Sequence, residues 1–151
     1  MYEPIRTKSV HTMAAAPEVP HRSREEELDI RLAGQLTALL TVTDELHALA
    51  TRADGGAARG TAPDGAALAA AAERIAEQVA RLSGGHHPLR AEPSADAGPS
   101  RAGADALQQR AHTLAGNALA VATSRGDAAA MALAAERMEA HAAPLRDLAT
   151  A

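Results

Sequence analysis

The chain has 151 residues, 41 of them alanine, and a formal net charge of −4. It contains no Cys, which excludes disulfides, thiolate nucleophiles and thiolate metal sites. The slightly acidic balance argues against binding to nucleic acid, and no apolar run approaches the roughly 20 residues of a membrane span. The chain also shows no apolar secretory signal near its N-terminus, so we expect a cytoplasmic protein without membrane partners.

Alanine is the strongest helix former, but its side chain carries no chemistry. Leu, Ile and Val together supply only 24 residues, a small share for a folded chain. These larger apolar residues recur at helical spacing, which disordered chains rarely show. The composition therefore predicts an all-α protein with a thin core, and a thin core favours self-association or a protein partner.

Residues 1–22 contain three prolines and no hydrophobic period, which predicts a flexible, disordered tail. The first helix is predicted over residues 24–54. Ser23 and Glu26 have the spacing of a capping box, which predicts where this helix begins. A leucine every seven residues, with others between, predicts one broad apolar face, and Gly55-Gly56 ends the helix. The face includes Leu32, Leu36, Leu39 and Leu46.

The second helix is predicted over residues 64–83, with apolar residues at alternating spacings of four and three. They are Leu68, Ala72, Ile75, Val79 and Leu82. Gly84-Gly85 ends this helix. Residues 84–100 hold three prolines together with glycine and serine, and we expect them to form a long, mobile linker.

The third helix is predicted over residues 101–125 and the fourth over residues 127–149. Gly126-Asp127 between them is typical of a helix end followed by a new N-cap. The spacing of four and three places Leu107, Ala111, Leu114, Ala118 and Val121 on one face of the third helix. The same spacing in the fourth helix selects Met131, Ala135, Met138, Ala142 and Leu145.

These elements predict an antiparallel four-helix bundle formed by residues 23–151 as a single domain. In this bundle, two helical hairpins are joined by the long linker. Large and small residues alternate on the apolar faces, which lets the helices approach closely. In the alternative, hairpins from two chains complete each other's core as a dimer.

The histidines are the main reactive side chains, and His112 and His141 form the most suggestive pair. Each lies about 15 residues from the Gly126 turn, so they should reach nearly the same height in an antiparallel hairpin. A metal or haem between them is one alternative function. However, the helical phase places His112 on the outer side, and no Glu-x-x-His motif of di-iron bundles is present. We therefore expect solvated or partly packed histidines and no cofactor.

The segment from Ala111 to Gly116 resembles the phosphorylation motif of histidine phosphotransfer domains, which are helical bundles. The resemblance implies that an exposed His112 carries a phosphoryl group and that Gly116, four residues on, leaves room for the partner. The family has Lys three residues after its histidine, whereas this chain has Ala115. Phosphotransfer at His112 is the second alternative function.

No other enzyme signature is present, so the leading hypothesis is a non-enzymatic protein that acts through self-pairing, as a homodimer, or through a protein partner. Its binding surface would be an apolar helix face rather than a pocket. Leu40, Leu119 and Leu133 lie outside the main stripes. They would either form this partner surface or widen the core.

Overall fold

The computed structural model describes residues 21–54, 64–94 and 100–151. They form four α-helices and, over these ranges, no β-strand: α1 Arg24–Asp54, α2 Gly65–Leu82, α3 Arg101–Arg125 and α4 Ala128–Ala149. The all-α prediction is confirmed, and each helix boundary lies within one residue of its predicted position. The predicted tail lies outside the described residues except for its last two positions, and Gly55-Gly56 lies outside them entirely.

Local capping sets the helix boundaries. The predicted capping box is confirmed, since the Glu26 N–H donates to Ser23 Oγ at 3.1 Å and the Ser23 N–H donates to Glu26 Oε2 at 2.8 Å. Gly126 ends α3 in the left-handed region, with φ of 73°. Asp127 then caps α4 by accepting the Ala130 N–H at 3.1 Å.

Ion pairs between helix ends reveal how the four helices run. Arg125 at the end of α3 contacts Asp29 at the start of α1, so α3 runs antiparallel to α1. Arg81 near the end of α2 contacts Asp127 at the start of α4, so this pair is antiparallel as well. The helices therefore follow the order α1–α2–α4–α3 around the bundle, and every neighbouring pair is antiparallel. The predicted four-helix bundle is consistent with these contacts.

Because α2 and α3 run in the same direction, the connection between them must return along the length of the bundle. We call residues 84–94, the described part of this connection, the crossover segment. Its Arg90 contacts Asp44 on α1 and Glu73 on α2. The chain thus returns along α1 and α2, while the predicted mobility of residues 84–100 stays a prediction.

The helices do not pack equally. The contacts of α1 with α2, of α1 with α3 and of α3 with α4 are extensive, whereas α2 and α4 touch over a short stretch only. All four helices of one chain contribute to a common core. The predicted stripes of α1 and α2 are buried as expected, apart from Leu28 at the start of α1 and Leu82 at the end of α2, which are half-buried. Because the core draws on all four helices, one chain buries these stripes without a second chain.

Small residues let α3 approach both of its neighbours. Its fully buried apolar side chains are all alanine: Ala111, Ala115, Ala118 and Ala122. The larger side chains predicted for this face, Leu107, Leu114 and Val121, are half-buried and pack against the core from the side. Alanine at the line of closest approach brings the two backbones together, and leucine at its edge fills the remaining space.

The predicted face of α4 is wrong by a rotation of about one residue. The side chains it buries are Ala130, Leu133, Ala134, Arg137 and His141. Ala135, placed in the core by the predicted spacing, is exposed, while Met131 and Met138 are half-buried. Because α4 packs mainly on α3, its small alanines face that helix, and the two methionines lie at the edge of the contact.

Candidate functional sites

His112 lies in the contact between α3 and α4. It is half-buried, and its Nδ1 is 2.9 Å from the backbone carbonyl oxygen of Met138. A carbonyl oxygen only accepts, so Nδ1 carries a hydrogen and donates this bond. The prediction that His112 points outward is therefore wrong, whereas the expectation of a partly packed side chain is confirmed.

His141 lies deeper, with 1 % of its surface exposed. Its Nδ1 is 2.7 Å from Gln108 Oε1 on α3, and its Nε2 is buried without a hydrogen-bond partner. Burial lowers the pKa of His141 to about 4, and the positive charge of Arg137 and the nearby His112 add to the shift. The expectation of a solvated or partly packed histidine is wrong here, because His141 is a neutral imidazole inside the core.

The structure places the two histidines at similar heights, as predicted. His112 lies level with Met138 and His141 level with Gln108, which is an offset of about one helical turn. Over the described ranges, however, no group of three or more His, Cys, Asp or Glu side chains has the arrangement of a metal site. Arg137, one turn from His141, places a positive charge where a metal cation would have to approach.

The surroundings of His112 differ from those that the phosphotransfer resemblance implies. Ala115, at the position of the family's lysine, is fully buried and faces the core. Gly116 faces α4, where an added Cβ would lie 3.6 Å from Met138 Sδ. The charge of His112 is among the causes that lower the pKa of Glu139, and the negative charge of this carboxylate would repel a phosphoryl group. The contacts of this motif thus serve helix packing.

Arg137 is a feature that the sequence analysis did not identify. It is 8 % exposed, and its Nε is buried without a partner. The nearest carboxylate oxygen, Glu136 Oε1, is 3.8 Å from its Nη1, too far for a hydrogen bond. Burial lowers the pKa of Arg137, Glu136 opposes that shift, and Arg74 adds to it. A second set of residues in α4 also has spacings of four and three, and it would have predicted the burial of Arg137. The set is Ala130, Ala134, Arg137 and His141.

The leucines proposed as a partner surface lie mostly inside the molecule. Leu40 and Leu133 are buried in the core, and Leu119 is half-buried against it. The interpretation as an exposed surface is therefore wrong for Leu40 and Leu133, which widen the core. Their stripes are broader than predicted because α1 contacts two helices and α4 packs with a different face.

Two large apolar side chains are exposed in the part of the chain that the structure describes. Ile30 on α1 is 53 % exposed, and Leu89 in the crossover segment is 98 % exposed. Leu89 immediately precedes Arg90, whose guanidinium contacts two helices. At Ser94, the N–H donates to Glu45 Oε1 at 2.9 Å. The segment therefore presents a leucine from a backbone that is tied to the bundle.

A shallow groove of about 470 Å³ lies between α1, the start of α3 and Ser94. Its apolar lining comes from Val42, Leu49 and Leu107, and its charged groups are Glu45 and Arg110. Glu45 accepts from the N–H of Ser94 at 2.9 Å and from its hydroxyl at 3.2 Å, which ties the end of the crossover segment to α1.

None of the helices described here combines the length and the apolar character needed to cross a bilayer. Comparison of the chain with models of known protein families, with curated proteins and with solved structures gave no match.

Proposed function

We propose that this protein is a non-enzymatic binding module that associates with a protein, in the first instance a second copy of itself, through the surface around Leu89. The supporting observation is the 98 % exposure of Leu89 in a segment whose neighbouring residues are tied to α1 and α2. Burying a leucine side chain contributes roughly 1.5–3 kcal/mol. Within one chain the Leu89 side chain is not buried and does not make this contribution. An interface that covers Leu89 would gain it.

The attachment of the crossover segment to α1 and α2 makes this leucine suited to binding. An interface residue on a flexible loop loses conformational freedom on binding, and this loss opposes association. Arg90 binds Asp44 and Glu73, and Pro88 restricts the backbone directly before Leu89. These contacts reduce the conformational freedom that the segment would lose on binding. His86 and His87 are exposed beside it and would form the polar rim of the interface.

Sedimentation equilibrium across the micromolar range tests self-association. We expect the wild type to form a homodimer and Leu89→Asp to remain monomeric, because the new carboxylate would be buried without a partner. Ile30→Asp is the matched control, since it places the same charge at the other exposed apolar site and should dimerise normally. Equal dimerisation of both variants would show that Leu89 is not in the interface.

A wild type that stays monomeric excludes the homodimer and leaves a different protein as the partner. A photo-crosslinking amino acid is then placed at position 89 or at position 30 in the cells that produce the protein. Its crosslinked products show whether another protein binds at Leu89. We expect a discrete crosslinked product from position 89 and none from position 30. Absence of such a product at position 89 would contradict the binding function itself.

A further inference from the structure

Arg137 holds a positive charge inside the bundle, and the carboxylate within ion-pair distance, Glu136, lies 3.8 Å from its Nη1 without a hydrogen bond. None of the hydrogen bonds between described residues uses a nitrogen of this guanidinium, and its Nε is buried and unpartnered. An arginine carries five N–H donors in a planar fork. Burying such a group without acceptors is unfavourable, and proteins usually avoid it by pairing the guanidinium with a carboxylate. The Arg137 guanidinium therefore has no anion hydrogen-bonded to it among the described residues.

The one neighbouring carboxylate is already occupied. Glu136 binds Arg74 of α2 through two hydrogen bonds, Nη1 to Oε1 at 2.8 Å and Nη2 to Oε2 at 2.6 Å. Glu77 influences Arg74 only at longer range, and Glu136 is the carboxylate that acts on Arg137. Two guanidinium groups therefore share a single carboxylate at this point.

The position of these groups allows access from solvent. They lie where α2 and α4 touch over a short stretch, the least extensive contact among neighbouring helices. The side chains of Arg74 and Glu136 are about half exposed and can move without disturbing the core. Behind them, the Nε of Arg137 is a buried donor without a hydrogen-bond partner among the described residues.

We propose that Arg137 and Arg74 form a binding site for a small oxyanion, a phosphate or carboxylate group, at the contact between α2 and α4. Two guanidinium forks match the oxygens of such a group, which is the geometry that arginine recognises best. Without ligand, Glu136 neutralises Arg74. With ligand, the oxyanion accepts from Arg137 and Arg74, and Glu136 turns toward solvent.

The first test follows the side-chain Nε–Hε resonances of arginine by NMR in the wild-type protein. Inorganic phosphate and acetate are titrated separately, with sodium chloride adjusted to keep ionic strength constant. We expect a saturable shift of the Arg137 resonance. Arg146 is the internal control, because it lies on the same helix and is paired with Glu139. No saturable shift at Arg137, or the same shift at Arg146, would overturn the proposal.

The two titrations also identify the ligand chemistry. A response to phosphate alone assigns a phosphate group, a response to acetate alone assigns a carboxylate, and a response to both assigns an unselective oxyanion site. A response to neither overturns the site.

The second test uses variants and the thermal midpoint. The wild type should gain thermal stability with added oxyanion, and Arg137→Met should lose that gain, while Arg146→Met keeps it. Glu136→Gln removes the competing carboxylate and should lower the dissociation constant about threefold, the size of effect expected for one exposed ion pair. An equal gain in wild type and Arg137→Met would show an adventitious ion only. If circular dichroism shows that Arg137→Met does not fold, the titration of the Arg137 Nε–Hε resonance in the wild type determines whether the oxyanion binds.

Discussion

The Arg90 guanidinium holds the Asp44 carboxylate at two points, with Nε 3.0 Å from Oδ2 and Nη2 2.5 Å from Oδ1. The two residues are 46 positions apart in the sequence. Arg90 also contacts Glu73, so one side chain joins the crossover segment to α1 and to α2. Asp44 is largely buried, with 11 % of its side chain exposed, and it depends on Arg90 for neutralisation.

Replacing Arg90 with alanine should therefore destabilise the protein. The change leaves the Asp44 carboxylate nearly buried without its partner, which costs about 1–2 kcal/mol after allowance for the solvent that reaches Arg90. Urea unfolding at neutral pH measures the loss. Arg146→Ala is the control, because it breaks an exposed pair with Glu139 and should change stability little. Equal losses in the two variants would show that the Arg90 pair is an ordinary surface contact.

Stability should fall as the pH is lowered from 6.5 to about 4 because of His141. In the folded protein its pKa is lowered from 6.5 to about 4, so the folded state holds it neutral while the unfolded chain binds a proton. Between these values the unfolded state binds more protons, and the free energy of unfolding decreases by about 3 kcal/mol. Urea unfolding at a series of pH values measures this decrease.

His141→Gln removes the titrating group and keeps a donor for Gln108 Oε1. It should flatten the decrease that occurs above pH 5, where few carboxylates have begun to titrate. His86→Gln replaces an exposed histidine and should retain the wild-type profile. If the profile of His141→Gln matches that of the wild type, His141 is not the group responsible.

Arg137→Met should make the protein more stable in the absence of oxyanions. Methionine fills a similar volume, and the substitution removes a buried charge that lacks a partner, so we expect a gain of about 1–2 kcal/mol. The free energy of unfolding in chloride buffer measures the gain. Arg74→Met breaks the exposed pair with Glu136 and should bring no gain. A clear loss of stability in Arg137→Met would mean that the guanidinium is satisfied in the folded state.

The close approach of α3 to its neighbours should make its buried alanines intolerant of larger side chains. Ala118 is fully buried, so Ala118→Leu should destabilise the protein by about 1–3 kcal/mol through overpacking. Ala120 is exposed on the same helix, and Ala120→Leu should stay within about 0.5 kcal/mol of the wild type. A similar response at the two positions would contradict close packing along α3.

Much of the fold could be predicted because its signals are local. The Ser23–Glu26 box and the Gly126-Asp127 junction specify helix ends through contacts within a few residues. The strong leucine repeat of α1 determines its buried face. In α4 the larger apolar residues are few, and alanine occurs on several faces of the helix. The spacing of apolar residues therefore predicted a buried face that is rotated from the observed one.

The candidate sites were less predictable because they depend on which helices meet. His112 and His141 were identified as a pair, but their burial follows from the contact between α3 and α4. Arg137 lies in the core because α4 turns that face toward the bundle. Leu89 is exposed beside Arg90, which contacts Asp44, a residue far away in the sequence. Contacts between residues so far apart in the sequence leave no local pattern from which they could be predicted.

The amino-acid sequence by itself determined the helical class, the helix boundaries and the small residues that permit close packing, because capping and helical propensity act within a few residues. The tertiary structure decided the rotation of α4, the burial of Arg137 and His141, and the path of the crossover segment. These follow from the free energy of packing all four helices at once. In that packing, the small alanines face the neighbouring helix even when this leaves a guanidinium and an imidazole nitrogen buried without partners.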